Sequence, residues 1–380
     1  MNLIAKIKSG ISSYMRYTDW LLLMSCIAAS AYGIALVFSV VKTSGAASRE
    51  YMIQIVACLF GIIAAVAISK IDYENICRVW PVLSGISLIL VLLTFTPLGL
   101  SVADDKAWLK VPIIGTFQPS ELMKITFIIS FAAHLSNVHN RLNELRTVLL
   151  LCAHGAVPIG LVFLQGDDGT ALVFIFIFVS MMFIAGLRAT YFVVAMTGGA
   201  ASVPFIWQHM GDKQARFLSL IFVEKYINDI GWQQQLALVA IGSGQLWGVG
   251  FLKGGDHRIY ARNNDFIFTV AGEELGFIGA LALLAVIVLI VLALLREIIT
   301  ARDLKGMLLC GGIMSMIGFQ SLINLGMNLR LLPVIGITLP FFSRGGSSIA
   351  TLYLGIGVAL SVYYSSKARV RDTIFSKKSV

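Results

Sequence analysis

The chain consists of long apolar runs separated by short polar breaks, and this pattern repeats along its whole length. The ten runs lie at about 20–41, 51–69, 79–96, 119–135, 148–164, 170–186, 191–207, 266–295, 306–324 and 346–364. About 20 apolar residues are enough for a helix to cross the hydrocarbon core of a bilayer. The pattern therefore predicts an all-α polytopic membrane protein with about ten transmembrane helices.

The composition agrees with this fold class. Hydrophobic residues make up 58% of the 380 positions and charged residues 13%, whereas a soluble domain carries about 25% charged residues. The net charge of +9 does not indicate a nucleic-acid partner, because the basic residues lie at the ends of apolar runs instead of along one face. Membrane lipids are the expected surroundings of the chain.

The basic residues also predict an orientation. With the N-terminus inside, the cytoplasmic segments hold 16 Lys and Arg residues in about 70 positions, and the outer segments hold 12 in about 114. Positive charge accumulates on the cytoplasmic side of membrane proteins. We therefore expect residues 1–19 to be a cytoplasmic N-terminus, 20–364 the membrane domain and 365–380 a basic cytoplasmic tail. Residues 208–265, between the seventh and eighth helices, form a large extracytoplasmic loop.

Ionisable residues inside apolar runs are candidates for function, because each costs at least about 2.5–3.5 kcal/mol in a membrane. Glu121 and Lys124 are three positions apart at the start of the fourth run, so they share a helix face and can pair. The pair either anchors the helix or belongs to a site. Glu273 and Glu274 lie in the eighth run, where they either face a wet cavity or pair with a cation.

Asp265 lies where the long loop re-enters the membrane. An Asp at this position can simply cap the next helix by accepting the N–H groups of its first turn. A carboxylate at the membrane boundary can also exchange a proton with a substrate. Two further acidic pairs, Asp104-Asp105 and Asp167-Asp168, either hold a divalent metal or cap a helix.

Five short motifs resemble those of the SEDS family (shape, elongation, division and sporulation), and they occur in the family's order between about residues 20 and 364. They are Trp108 with Phe117 to Glu121 and Lys124 (W…FQPSE..K), Gln165 to Thr170 (QPDxGT), Ala240 to Gly244 (AIGSGG), Asn264 to Phe268 with Gly272 to Gly276 (TDFIF…EELG), and Leu332 to Ser348 (LPxxGxxLPxxSYGGSS).

The resemblance implies a glycosyltransferase of the bacterial cell membrane that polymerises peptidoglycan from lipid II on the extracytoplasmic side. Its implied partner is a class B penicillin-binding protein, the transpeptidase that crosslinks the strands. By the same resemblance Asp265 is the catalytic aspartate, Glu121 and Lys124 are an intramembrane charged pair, and Asp167 is the aspartate of the turn. Residues expected to bind substrate or support the site are Gln118, Ser120, Glu273, Arg344 and Ser347.

This chemistry suits the residues. The 4-hydroxyl of one disaccharide attacks the anomeric carbon of another and displaces a polyprenyl diphosphate, and a carboxylate can act as general base for that hydroxyl. The leaving diphosphate requires cationic stabilisation. We expect this from a divalent cation, Mg or Mn, or from Lys and Arg residues of the outer loops.

The chain departs from the family motifs at several places, which include Leu236-Ala237 in place of Gln-Ser before AIGSGG and the absence of Pro-Glu from residues 260–263 before Asp265. Gly166 replaces the proline of the QPDxGT turn, Arg344 replaces the tyrosine of SYGGSS, and Arg330 lies where glycine is usual. The two arginines either bind diphosphate or an anionic headgroup, or anchor the chain at the interface.

Other functions remain open at this point. The charged residues Glu121, Lys124, Glu273 and Glu274 could line a path for a flippase of the lipid-linked precursor, and a scaffold that recruits the transpeptidase is a third possibility. Within the family, the short N-terminus and the segment Gly326-Met327-Asn328 before Leu332-Pro333 favour the elongation branch (RodA), which we expect. The segment at 336–340 favours the division branch (FtsW), and a sporulation role is a further alternative.

Overall fold

The computed structural model describes residues 17–45, 48–102, 105–111, 115–211, 213–226, 231–255 and 259–376. Parts of the predicted N-terminal segment and basic tail, and Asp104 of the predicted acidic pair, lie outside these residues.

The described residues form a helical bundle with one small sheet. In chain order the elements are α1 Trp20–Ser44, α2 Arg49–Ile68, α3 Tyr73–Arg78, α4 Trp80–Leu93, β1 Gly99–Val102, β2 Asp105–Val111, β3 Gly115–Phe117, α5 Pro119–Val138, a 3-10 turn His139–Arg141, α6 Leu145–Leu164, α7 Asp168–Ile184, α8 Ala189–His209, α9 Lys213–Ile221, α10 Val223–Tyr226, α11 Trp232–Ser243, α12 Ile267–Glu274, α13 Gly276–Thr300, α14 Leu304–Asn328 and α15 Gly346–Ser376.

The helices confirm the prediction of a polytopic, all-α membrane fold. Six of the described helices, namely α1, α2, α6, α13, α14 and α15, are long and apolar enough to cross a membrane, and α4, α7 and α8 are shorter apolar helices. The last helix continues to Ser376, beyond the end predicted at 364, because no helix-breaking residue follows the apolar run.

The loop predicted between the third and fourth runs contains a three-stranded antiparallel sheet in the order β1-β2-β3. Leu100 is opposite Trp108, and Leu109 is opposite Phe117. Ala107 and Leu109 are buried on one face of β2, as the two-residue period of a strand requires. The backbone N–H of Lys106 donates to the carbonyl of Gln165 (2.9 Å), which joins the sheet to the turn between α6 and α7.

The eighth predicted helix, 266–295, is broken into α12 and α13. Gly276 has φ = 67° at the break, a left-handed conformation that favours glycine. The glycine-rich segment 244–250 lies against this point, and a Cβ atom on Gly248 would be 2.1 Å from the carbonyl oxygen of Glu274. The N–H groups of Val249 and Phe277 bond to the carbonyls of Glu273 (2.9 Å) and Gln245 (2.8 Å). These bonds satisfy backbone groups that a helix break exposes, and they explain the spacing of glycines in the loop.

The core of the bundle lies around α14 and α15. Helix α15 packs along α2, while α14 packs between α7 and α13. Small residues permit close approach of the helices: a Cβ atom on Gly61 of α2 would be 2.9 Å from the Tyr353 side chain of α15. Residues from α14 also reach the loops at its C-terminal end, where the candidate site lies.

The loops at 97–118, 165–169, 208–265 and 325–345 meet at one end of the bundle, which we call the long-loop end. Gln118 bonds to Asp167 (2.8 Å), and the N–H of Arg344 donates to the carbonyl of Asn263 (2.8 Å). Residues that are far apart in the sequence therefore come together here.

Candidate functional site

Asp265 lies half-buried between two loops at the long-loop end. A Cβ atom on Gly336 would be 3.9 Å from its Oδ2 atom, so the loop between α14 and α15 passes beside the carboxylate. The N-cap of α12 is Phe266, and no side chain caps this helix. Among the described residues, none donates a hydrogen bond to the Asp265 carboxylate. The capping explanation of Asp265 is therefore wrong, and its carboxylate is open to a ligand.

The surroundings of Asp265 favour its protonated form. Burial and, to a smaller extent, the negative charge of nearby Asp167 together raise its pKa to about 6. A carboxyl group with this pKa is mostly ionised at neutral pH and still accepts a proton more readily than an ordinary aspartate. The site residue thus has the proton affinity of a general base.

Asp167 connects three segments of the long-loop end. Its Oδ1 atom accepts from the backbone N–H of Thr170 (2.9 Å), which caps α7. Its Oδ2 atom accepts from Nε2 of Gln118 (2.8 Å). Burial raises the pKa of Asp167, and the hydrogen bonds from Thr170 act in the opposite direction. Both predicted residues, Gln118 and Asp167, therefore lie together close to Asp265.

The predicted pairing of Glu121 and Lys124 is confirmed, with 2.8 Å between Lys124 Nζ and Glu121 Oε1. Both side chains are buried in α5. The other carboxylate oxygen accepts from Oγ of Ser348 (3.1 Å), so Ser348 reaches the pair, whereas Ser347 accepts through its carbonyl from Thr351 of its own helix.

Ser120, also predicted for the site, has a buried Oγ atom. No partner for this atom lies among the described residues. A buried hydroxyl without a partner is costly, and the side chain of Ser120 is completely buried at the start of α5.

Glu273 and Glu274 fasten the long loop to the bundle. Glu273 forms an ion pair with Arg262 and accepts from the N–H of Gly255 (2.7 Å). Glu274 accepts from Oγ of Ser39 (2.6 Å) and from the N–H of Leu252 (3.1 Å). Of the two explanations for these residues, the structure shows pairing within the protein.

The two unusual arginines also make contacts within the protein. Arg344 lies 3.3 Å from Glu50, and Glu50 accepts from Asn263 (2.9 Å), two residues before Asp265. Arg330 donates to Gln235 of α11 (2.8 Å) and to the carbonyl of Ser219 of α9 (3.2 Å). These contacts join the long-loop segments to each other.

Helix α9 places two exposed cations near the acidic residues, which the sequence analysis did not single out. Lys213 forms an ion pair with Asp168, and Arg216 Nη1 lies 3.5 Å from the carbonyl oxygen of Val334. Both cations interact with Asp105, whose pKa burial raises to about 6. Their spacing of three positions in an amphipathic segment is the signal that could have identified them.

A metal site made by the protein alone is not formed in the described part of the chain, since no three His, Cys, Asp or Glu side chains are grouped to hold an ion.

Two buried asparagines were also missed. Asn324 and Asn328 of α14 donate from Nδ2 to the backbone carbonyl of Asp265 (2.8 and 2.9 Å). The signal is two amides spaced i, i+4 in an apolar run, because amides in such a run are buried only where they are hydrogen-bonded.

This bundle, with an open carboxylate and two exposed cations where four long loops meet, defines a multi-pass membrane protein with an acidic site at one end. Residues 19–368 match the family model of the cell cycle proteins FtsW, RodA and SpoVE. The chain belongs to this family, and the resemblance to SEDS proteins is confirmed.

Relatives and solved structures agree with this assignment. The chain is 29% identical over 357 residues to a probable peptidoglycan glycosyltransferase FtsW of Trichlorobacter lovleyi, covering 90% of this chain and 92% of that protein. It is 32% identical over 323 residues to the stage V sporulation protein E of Bacillus subtilis, covering 81% and 85%. The rod shape determining protein RodA of Thermus thermophilus superposes with a TM-score of 0.68 at 26% identity, covering 92% and 97%.

A further similar chain comes from a structure described as the coordination of polymerization and crosslinking by a peptidoglycan synthase complex. It superposes with a TM-score of 0.78 at 28% identity, covering 92% of this chain and 98% of that one.

Proposed function

We propose that this protein is a peptidoglycan glycosyltransferase that polymerises lipid II, with Asp265 as the general base. The observation that carries the proposal is the open Asp265 carboxylate, half-buried between two loops, with a pKa raised to about 6. Relatives named peptidoglycan glycosyltransferase support the reaction class.

In the proposed reaction, Asp265 accepts the proton of the 4-hydroxyl of one lipid-linked disaccharide. The hydroxyl oxygen attacks the anomeric carbon of the second disaccharide, and the bond from that carbon to the diphosphate oxygen breaks. The new glycosidic bond replaces it, and the proton on Asp265 is then released to solvent. Gln118 bonds to Asp167 and holds the turn that contains it, and the buried Glu121–Lys124 pair lies close enough to act on Asp167 through its charges.

Lys213 and Arg216 are the cations proposed to bind the leaving diphosphate. Both side chains are exposed on α9 near Asp105 and Asp168, so they can reach a ligand without breaking a buried contact. Positive charge at the leaving group stabilises the transition state because negative charge develops there.

A divalent cation, Mg²⁺ or Mn²⁺, is a further proposal. Mg²⁺ commonly uses one or two carboxylates together with substrate phosphates, and such a cation would take most of its ligands from the diphosphate and water. Loss of strand formation in EDTA, restored by either metal, is the expected result. No step above is assigned to the metal.

We further propose that the long-loop end is extracytoplasmic and that the chain acts with a class B penicillin-binding protein. The distribution of Lys and Arg supports the orientation, and the similar chain from a peptidoglycan synthase complex supports the partner. Cysteine labelling of intact cells at an exposed position of the long-loop end tests the sidedness directly.

The decisive experiment is strand formation from lipid II by the purified protein with its partner transpeptidase. Asp265→Asn removes the base with little change in volume, and we expect kcat to fall by about 10²- to 10⁴-fold. Asp105→Asn is the matched control, because the pKa of this nearby acid is also raised to about 6 and it has no proposed part in the reaction. Wild-type rates for Asp265→Asn would overturn the assignment.

The flippase alternative is less well supported, because it requires charged residues along an open path. Glu121 and Lys124 are buried and paired, and Glu273 and Glu274 bind the long loop. Transport of labelled lipid II across a bilayer without formation of strands would favour it.

Within the family we propose the elongation branch, which the segment at 326–328 favours and to which the similar RodA structure belongs. Relatives named FtsW and stage V sporulation protein E favour the division or sporulation branch. Depletion of the protein decides: rounded cells support elongation, and filaments overturn it in favour of division.

A further inference from the structure

Two buried amides on α14 hold the backbone of Asp265. Asn324 and Asn328 are four residues apart, so they share one face of the helix, and both side chains are completely buried. Each donates from Nδ2 to the carbonyl oxygen of Asp265, over 2.8 Å from Asn324 and 2.9 Å from Asn328.

The same amides hold the second loop of the site. Asn324 Nδ2 also donates to the carbonyl of Ile337 (2.7 Å). Ile337 follows Gly336, whose position is 3.9 Å from Asp265 Oδ2 when measured to an added Cβ atom. Asn324 therefore determines the distance between the Asp265 carboxylate and the loop that passes beside it.

Asn328 keeps Asn324 in place. Its Nδ2 atom lies 2.8 Å from the backbone oxygen of Asn324 and 3.1 Å from the Oδ1 atom of Asn324. A buried amide costs free energy unless it is hydrogen-bonded. In this arrangement both Nδ2 groups donate to the backbone carbonyl of Asp265, and Oδ1 of Asn328 has no partner among the described residues.

We propose that Asn324 and Asn328 are positioning residues that fix the Asp265 carboxylate and the loop at Gly336 in the geometry required for attack by the acceptor hydroxyl. The inference rests on the proposed role of Asp265 as base. Neither asparagine contacts the substrate, because both are completely buried below the loops.

A displacement of about 1 Å at a reacting group can cost about 10²-fold in rate, so the pair acts on the chemical step. Substrate binding involves other contacts, and KM for lipid II is expected to stay near its wild-type value. When either amide is removed, the Asp265 carboxylate becomes more mobile and more hydrated. Its pKa then falls towards that of an ordinary aspartate.

The test compares Asn324→Leu and Asn328→Leu with Gln320→Leu in the full-length protein with its partner. Leucine has the same branched side-chain skeleton as asparagine, with two methyl groups in place of the amide oxygen and nitrogen, so it removes the amide. Gln320 is a buried amide on the same helix, one turn further from the site, so its replacement controls for loss of a buried polar group. We expect kcat to fall by about 10- to 100-fold for Asn324→Leu, less for Asn328→Leu, and not at all for Gln320→Leu.

The pH dependence separates positioning from a general loss of stability. For the Asn324 and Asn328 variants, the acidic limb of the rate profile should move to lower pH, and for Gln320→Leu it should stay at its wild-type position. Asn328→Leu removes one of the two bonds to the Asp265 carbonyl and leaves the Asn324 amide present, so it decides the question where Asn324→Leu does not fold.

The two proposals fail in different ways. Wild-type kcat and an unmoved acidic limb in folded Asn328→Leu and Asn324→Leu, together with an inactive Asp265→Asn, would overturn the positioning role alone. A fully active Asp265→Asn would overturn the base, and the positioning role with it.

Discussion

The two ends of α12 carry acidic side chains of the same chemistry in opposite surroundings. At its start, Asp265 has no hydrogen-bond donor among the described residues, and burial raises its pKa to about 6. At its end, Glu273 and Glu274 accept from Arg262, from Ser39 and from backbone N–H groups. An acid whose bonds are all made within the protein stabilises it, whereas an acid left open is available for chemistry.

Helix α12 is short enough to make this contrast possible. Its break at Gly276 allows the glycine-rich segment to reach Glu273 and Glu274, while Asp265 remains eight residues away beside α14. The long loop therefore binds to the protein at the C-terminal end of α12, through Glu273 and Glu274, and carries the Asp265 carboxylate at the N-terminal end.

The largest expected effect is the loss of stability in Glu273→Ala. This change leaves the Arg262 guanidinium buried without its carboxylate, and breaking a buried pair in this way costs about 3–5 kcal/mol. Asp265→Ala removes an acid that its surroundings disfavour in the charged form, so we expect its free energy of unfolding to be unchanged or higher. Reversible unfolding in detergent measures both variants. Equal losses in the free energy of unfolding for Glu273→Ala and Asp265→Ala would contradict the distinction between the two ends of α12.

Arg330 tests whether basic side chains that bond within the protein also stabilise it. Its backbone is left-handed, with φ = 59°, while its side chain joins α9 to α11. Arg330→Ala keeps the unfavourable backbone and loses the hydrogen bonds of a charged group, so we expect a loss of about 1.5–3 kcal/mol.

Arg330→Gly is the matched variant. It loses the same bonds and regains about 1–2 kcal/mol, because glycine adopts the left-handed conformation at little cost. A larger loss for glycine than for alanine, in the same unfolding measurement, would show that backbone strain at this position is unimportant.

The sequence was sufficient to predict the helical membrane fold and the residues that come together around Asp265. Apolar runs report spans directly, and the Glu121–Lys124 pair stands out because charged groups are rare in such runs. Gln118 and Asp167 lie just outside the runs and were predicted from the family motifs that the chain resembles. The three-stranded sheet was missed because a strand of seven residues or fewer gives a weak signal within a loop.

Contacts that depend on tertiary structure could not be predicted. The break in the eighth helix depends on a loop that approaches Gly276 from 28 residues earlier, at Gly248. The roles of Asn324 and Asn328 depend on where the Asp265 carbonyl lies. The motif predicts Ser347 for the site, while its neighbour Ser348 makes the contact with Glu121. Adjacent serines in a motif cannot be distinguished until it is known which of them faces the neighbouring helix.

The raised pKa of Asp265 predicts how the rate of strand formation depends on pH. The base must be deprotonated, so kcat/KM should rise about tenfold per pH unit below the pKa and level off above it, with the midpoint near the value of about 6. The pKa is raised above that of a free aspartate, so the acidic limb lies at higher pH than for an exposed acid.

Asp167→Asn sharpens this prediction. Asparagine can still cap α7 through its oxygen, and its NH2 group can donate to Gln118 once that amide turns its oxygen inward. The change removes the negative charge that raises the pKa of Asp265. The limb should therefore move to lower pH while the plateau rate stays near wild type. An acidic limb that stays at its wild-type pH would show that the charge of Asp167 does not affect the pKa of Asp265.

The smallest expected effect concerns Arg344, which lies 3.3 Å from Glu50 and is 40% exposed. Partly exposed ion pairs contribute about 0.2–1 kcal/mol, so Arg344→Tyr, which restores the residue of the family motif, should change stability little. If the Arg344 side chain serves only to bind Glu50, KM for lipid II should change by less than about twofold in Arg344→Tyr, or about 0.4 kcal/mol.

Glu50→Gln is the control for Arg344→Tyr, since it removes the same ion pair from the other side. A tenfold rise in KM for Arg344→Tyr but not for Glu50→Gln would place this arginine with the open residues, as a ligand of the diphosphate.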